Sequence, residues 1–175
     1  LESGITVAAL VAANPGGSPV DPRTGLLWGA RYGLDGQFDH LRRPSRAEVR
    51  AYVEDPPVRP PLNTTLAVVA TDARLDKAEC SRMALTAHDG MARAVSPINL
   101  YTDGDVAFSL ATGAVELPEV RRDGGHIRPA NTRPGQLGLI FAAAADCVAR
   151  AITHAVLAAT AAGGLASYAD RFPSA

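Results

Sequence analysis

The 175-residue chain has little cysteine, almost no net charge and no uninterrupted apolar run of membrane-spanning length. Each shortage removes a class of function. Cys80 and Cys147 stand far apart, in no metal or redox spacing and in helix-like segments, so no disulfide framework is expected and the setting is read as reducing and cytoplasmic. The 17 basic residues are offset by 18 acidic ones. This balance leaves no broad electrostatic reason to bind nucleic acid or an acidic membrane. His88, His126 and His154 fall in no ligand spacing, so no metal and no cofactor is expected. The opening residues, LESGITVAALVAAN, lack an initiator Met and a basic n-region, and their apolar run is too short and too strand-like for a secretion signal or a membrane span. The chain is expected to begin inside a folded element, as a fragment, a processed product or a truncated gene would.

What remains is a globular composition, 47% apolar, of a length that suits one domain or part of one. Residues 4–13, GITVAALVAA, read as a buried strand that ends at the Gly- and Pro-rich turn NPGGSPVDPRTG. GLLWGARYG, residues 25–33, reads as a second short strand. SRAEVRAYVED offers Ser45 as N-cap and Glu48 as its capping-box partner for a short helix that Pro56 and Pro57 stop. The proline-rich stretch 55–62 is an exposed connector. TTLAVVATD follows with a central-strand pattern, and the next segment is a helix capped by Asp76, with Met83, Ala84, Ala87, Met91 and Val95 on one face. DGDVAFSLATG reads as a turn feeding a strand, and residues 116–135 as a polar loop. The last long helix is Ala-rich and carries Asp146, Arg150 and His154 on one stripe, a pattern that argues against a membrane helix.

Asn63, Thr64 and Thr65 stand at the mouth of the central strand. By residue type alone the two threonines suit β geometry and Asn63 ends the connector. The triplet also fits a glycosylation acceptor, a reading set aside without a secretion signal. In the same manner Asn14 reads as an Asx-turn residue before Pro15, Asp103 and Asp105 as a turn and cap pair, and His88 as a structural histidine.

Three ordered motifs, NTTLAVVATDA, AHDGMARAVSP and DGDVAFSLATG, with ALVAANPGG before them and YADRFP after, resemble the P1 family of N-terminal-nucleophile hydrolases. That family includes L-aminopeptidase/D-esterases, β-peptidyl aminopeptidases and the nylon-oligomer hydrolase. The resemblance runs over essentially the whole chain but over only the C-terminal half or so of a usual member. It implies an α/β fold, a layered αββα sandwich incomplete at its N-terminus. Residues 1–63 would form the end of the α-subunit region with its linker, and residues 64–175 the β-subunit region, together part of one domain.

The resemblance also implies self-cleavage between Asn63 and Thr64, which makes Thr64 the new N-terminus and the nucleophile. A hydroxyl needs a base near neutral pH, and an α-amine with a pKa of about 7.7 to 8.0 on the same residue supplies one. Asn14 then matches an oxyanion donor, and Asp103 and Asp105 match an acidic pair that orients the Thr64 amine. The implied substrate is a small peptide or amide, and the implied assembly a homo-oligomer, a tetramer or larger, or a pairing with a complementing N-terminal chain. The family's lysine, in a Gly-rich segment upstream, is not matched. Three readings stay open: an amide hydrolase, a catalytically silent assembly subunit, and an acyl transferase of the ornithine acetyltransferase kind.

Overall fold

The structure, a computed structural model, describes residues 1–57, 64–118 and 132–175. Three apolar runs pair into one sheet: β1 (Val7–Ala12), β2 (Leu66–Ala73) and β3 (Val106–Val115), in the order β1-β2-β3. β2, mostly apolar and free of Gly and Pro, takes the centre, where every backbone group needs a ladder partner. β1 runs antiparallel to it and β3 parallel, in a register that aligns Leu10, Val68 and Phe108 across the sheet. A parallel neighbour demands a crossover, and α2 (Lys77–Ala94) supplies it. α1 (Arg46–Glu54) precedes the sheet's centre strand in the chain; α3 (Arg133–Ala158) and the short α4 (Tyr168–Arg171) follow β3.

One sheet face carries the core. Ala67, Val69 and Ala73 of β2 meet Met83, Ala87 and Met91 of α2 and Ile140, Ala144, Val148 and Ile152 of α3, all buried. The three- and four-residue spacing expected for α2 thus builds its core stripe, with Ala84 half-buried at the stripe's edge. α3 is long and apolar enough to cross a bilayer by length and composition alone. Here its apolar stripe lies on the sheet, while Asp146 pairs with Arg93 of α2 at 2.6 Å and the Arg150 guanidinium donates to the Cys147 thiol at 3.1 Å.

Two expectations need correction. Residues 4–13 were expected as a strand buried in full, but β1 alternates, with Leu10 77% exposed. Leu66, Val68, Phe108 and Leu110 lie exposed on the same face of the sheet as Leu10. The run is apolar on both sides because two faces need apolar residues, though only one is covered by this chain's helices. Residues 25–33 were expected as a strand, and Trp28–Tyr32 instead form a 3₁₀ turn. Gly29 is the reason: the backbone there presses on α3 so closely that a Cβ would lie 2.3 Å from Thr153 Oγ1.

The expected helix caps form. Ser45 with Glu48 and Asp76 with Glu79 each close a capping box. Both glutamates also do long-range work. Glu48 accepts from the Ser174 amide at 3.0 Å and from its hydroxyl, anchoring the C-terminal segment on α1, and these bonds hold its carboxyl down at about 2. Glu79 receives the Arg133 guanidinium in a fork, Nε to Oε1 at 2.9 Å and Nη2 to Oε2 at 2.6 Å, which joins the N-terminal ends of α2 and α3. The Arg133 fork keeps the Glu79 carboxyl below its usual range.

Glu79→Gln should therefore lower unfolding free energy by about 1 to 2 kcal/mol near neutral pH. The native carboxyl is depressed relative to the unfolded one, so its contribution is complete above the ordinary carboxylate range and fades as pH falls through the depressed value. Urea unfolding curves of wild type and variant should differ at neutrality and converge in acid; curves that stay equally separated in acid would refute the assignment.

Candidate functional site

Strand direction decides what meets. Because β1 is antiparallel to β2 and β3 is parallel to it, the end of β1 and the beginnings of β2 and β3 share one end of the sheet. Three segments converge there: the loop after β1, residues 64–65 ahead of β2, and the turn ahead of β3.

The Thr64 amide donates to the Asn14 carbonyl at 2.8 Å, extending the β1–β2 ladder beyond its last regular pair. Thr64 is half-buried and Asn14 exposed, so this end of the sheet opens to solvent. One residue on, Thr65 is sealed in: its amide donates to Asp105 Oδ1 at 2.6 Å, and its carbonyl accepts from the Val106 amide at 3.0 Å. Asp105, expected to face the Thr64 nitrogen, thus holds the neighbouring backbone. Asp103 folds its own turn, accepting the Leu100 amide on Oδ2 at 2.9 Å.

Three buried polar atoms here have no hydrogen-bond partner: Thr65 Oγ1, Asp103 Oδ1 and Asp105 Oδ2. A buried acceptor without a donor costs about 1 to 3 kcal/mol, more for a charged group, so a protein seldom keeps three together without a use for them. Neither aspartate is ion-paired among the described residues. The site is electronegative and short of donors, and it favours a cationic group close to Thr64.

The loop after β1 reaches this place through two glycines whose role the sequence reading took only as turn punctuation. A Cβ on Gly16 would lie 2.3 Å from Asp103 Oδ1, and one on Gly17 would lie 1.6 Å from the Pro97 carbonyl oxygen. The adjacent pair of glycines directly after Asn14-Pro15 was the available signal, because two glycines in sequence permit backbone to lie on backbone. Ser18 and Ser96 seal the contact with reciprocal backbone hydrogen bonds of 3.0 and 2.9 Å.

Other candidates lie apart or outside view. Asn63 and His126 fall outside the described residues. His88 Nδ1 meets Asn99 Oδ1 at 3.3 Å, and His154 bonds Gln37 and packs on Phe38, both with structural partners. Among the described residues no group of three or more His, Cys, Asp or Glu is placed to hold a metal ion. The only lysine of the chain, Lys77, opens α2 beyond the far end of β2, roughly 25 Å of strand from Thr64 at 3.3 Å per residue. Beside Asn14 opens a cavity of about 370 Å³, bounded by α1, the end of α3 and α4.

The sequence profile of peptidase family S58 matches residues 1–169. Among curated proteins, an "Uncharacterized aminopeptidase" of Mycobacterium tuberculosis (strain ATCC 25618 / H37Rv) is 42% identical over 179 residues, covering 100% of this chain and 50% of its own length. The 6-aminohexanoate-oligomer endohydrolase of Kocuria sp. (strain KY2) is 30% identical over 115 residues, 65% of this chain and 32% of its own. Among solved structures, a Burkholderia sp. beta-aminopeptidase aligns at 24% identity with a TM-score of 0.46, over 71% of this chain and 35% of that one. The chain spans about half the length of the mycobacterial relatives it matches.

The glycine contacts give an ordered expectation. Gly17→Ala drives a methyl into backbone and should destabilise most, by about 3 kcal/mol; Gly16→Ala meets a carboxylate that can swing aside and should cost about 1 to 2 kcal/mol. Gly138→Ala, in open space on α3, should stabilise by up to about 1 kcal/mol. Denaturant unfolding of the three variants tests the order, and a Gly17 variant as stable as wild type would contradict the packing of these loops.

Proposed function

The chain belongs to peptidase family S58, and on that premise we propose that it is the nucleophile-bearing part of a self-processing hydrolase that cleaves amide bonds in small peptides or related amides. One observation supports this above the rest: an accessible Thr64, tied to Asn14, stands beside two aspartates that keep buried oxygens without partners. In self-cleavage the Thr64 Oγ attacks the Asn63 carbonyl carbon, the C–N bond breaks, and the hydroxyl proton ends on the Thr64 nitrogen. Water then hydrolyses the ester and frees residue 64 as an N-terminus.

The liberated amine is the base of the second reaction. Its hydrogen bond to the Asn14 carbonyl orients it, and the carboxylates of Asp103 and Asp105 stabilise the ammonium that forms when it takes the Oγ proton. The Oγ attacks the substrate carbonyl, the ammonium returns its proton to the leaving nitrogen, and water releases the acyl group by the same route in reverse. The exposed Asn14 side chain serves as donor to the tetrahedral oxyanion, a role worth about 2.7 to 4 kcal/mol in other hydrolases. A lysine, where the reaction needs one, comes from residues other than Lys77, which sits at the wrong end of β2.

The uncovered sheet face fits the same reading. Leu10, Leu66, Val68, Phe108 and Leu110 form an apolar surface of the kind that marks an interface. In a layered αββα fold this face stacks on a second sheet, supplied by the remaining half of a full-length protein or by another copy.

Two outcomes follow. Thr64→Ala should abolish both self-cleavage, read by intact mass as loss of the 1–63 and 64–175 pieces, and hydrolysis of amino-terminal amides, by at least about 10⁴-fold. Wild-type turnover should rise with pH as the Thr64 amine loses its proton, at or above the ordinary α-amine range of about 7.7 to 8.0, because the two carboxylates favour the ammonium. A Thr64→Ala chain cut and active like wild type would refute Thr64 as the nucleophile, and a wild-type chain that neither cuts itself nor hydrolyses amides would favour the silent-subunit reading. The chain alone should also self-associate through the bare face, so a Val68→Lys, Phe108→Lys variant should sediment as a smaller species; a wild-type monomer at high concentration would refute this.

A further inference from the structure

The cavity beside Asn14 has walls of Val20, Tyr52, Val156 and Phe172, and a volume that suits a small ligand. Its polar groups are few, and most already have partners. Ser18 Oγ and the Tyr52 hydroxyl bond each other at 2.9 Å, and the Tyr168 hydroxyl donates to the Gly25 carbonyl at 3.0 Å. Arg171 differs. Its Nη1 reaches the Asp55 carbonyl at 2.9 Å and Oδ2 at 3.1 Å, which fixes the guanidinium, yet its Nε is buried with no acceptor. A positioned guanidinium N–H lacking an acceptor suits a carboxylate, which its planar fork matches best.

We propose that this cavity receives the leaving-group residue of the substrate, with an apolar side chain against Tyr52 and Phe172 and a free carboxylate on Arg171. The inference rests on Thr64 as nucleophile, because the Asn14 carbonyl, bonded to the Thr64 nitrogen, joins the cavity to the reaction centre. Charge orients the substrate. A cationic amino end is drawn to Asp103 and Asp105, while a carboxylate end finds at Arg171 an unpartnered Nε–H on a guanidinium whose charge is already shared with Asp55. The favoured substrates are therefore short amides with a free amine at one end and a free carboxylate at the other, such as dipeptides with an apolar second residue.

Calorimetric titration of the full chain with L-leucine and with L-leucinamide tests this, since the probes share amine and side chain and differ in the carboxylate. Leucine should bind about tenfold more tightly, and Arg171→Gln should shrink the preference to about twofold or less. Asp55→Asn loosens the same tie between α4 and the end of α1 but keeps the guanidinium, so its preference should persist. Equal affinities in wild type, no measurable leucine binding, or a preference that survives Arg171→Gln each overturn the proposal. Binding is read without turnover, so the two readings fail separately. A chain that self-cleaves but shows no carboxylate preference sinks this inference alone, and one that shows the preference but never cleaves sinks the nucleophile.

Discussion

The antiparallel pairing of β1 with β2 governs the rest of the structure. It alone brings Asn14, at the end of one strand, onto Thr64, at the start of the other, with the 2.8 Å bond between them continuing the ladder. The parallel pairing of β2 with β3, made possible by α2 as crossover, adds Asp103 and Asp105 at the same end. Were β3 antiparallel instead, its acidic turn would lie at the far end with Lys77. The chemistry proposed at Thr64 is thus a consequence of strand direction, and local sequence supplies only the side chains.

The same sheet explains why one end can hold reactive groups while the other side of the molecule is plain core. Thr65 is the hinge between these regimes. Its backbone is clamped from both sides by Asp105 and Val106, fixing the first buried residue of β2, while Thr64 before it stays half-exposed. An attacking group held by one rigid neighbour loses little freedom on reaching a carbonyl, which is what orientation contributes to rate. Asp105 therefore fixes the backbone of Thr65 through one oxygen, and in the proposed reaction its other oxygen would meet the Thr64 ammonium.

Interactions close in sequence were legible before the fold was seen. Ser45 and Glu48 are three apart, Asp76 stands directly before its helix, and helix geometry fixes what such caps do. The α2 core stripe follows from the same periodicity. The 3₁₀ turn at Trp28–Tyr32 was not legible, because it depends on how closely α3 approaches Gly29, a tertiary fact. The grip of Glu48 on Ser174, 126 positions away, lies beyond any local pattern. At the site, residue types alone read as turn, cap and strand residues, and only the resemblance carried by the ordered motifs implied roles for Asn14, Thr64, Asp103 and Asp105; which backbone amide each carboxylate holds required coordinates.

The bare sheet face has a physical origin in the strands themselves. A strand that is apolar on both sides carries information for two layers, and this chain's helices α2 and α3 cover one of them. Leu10 and Phe108 gain nothing from exposure, and burying each would contribute about 1.5 to 3 kcal/mol. A covering layer therefore has a strong reason to bind. The free energy for covering this face comes from its apolar residues, which lie on the same sheet whose end carries Thr64.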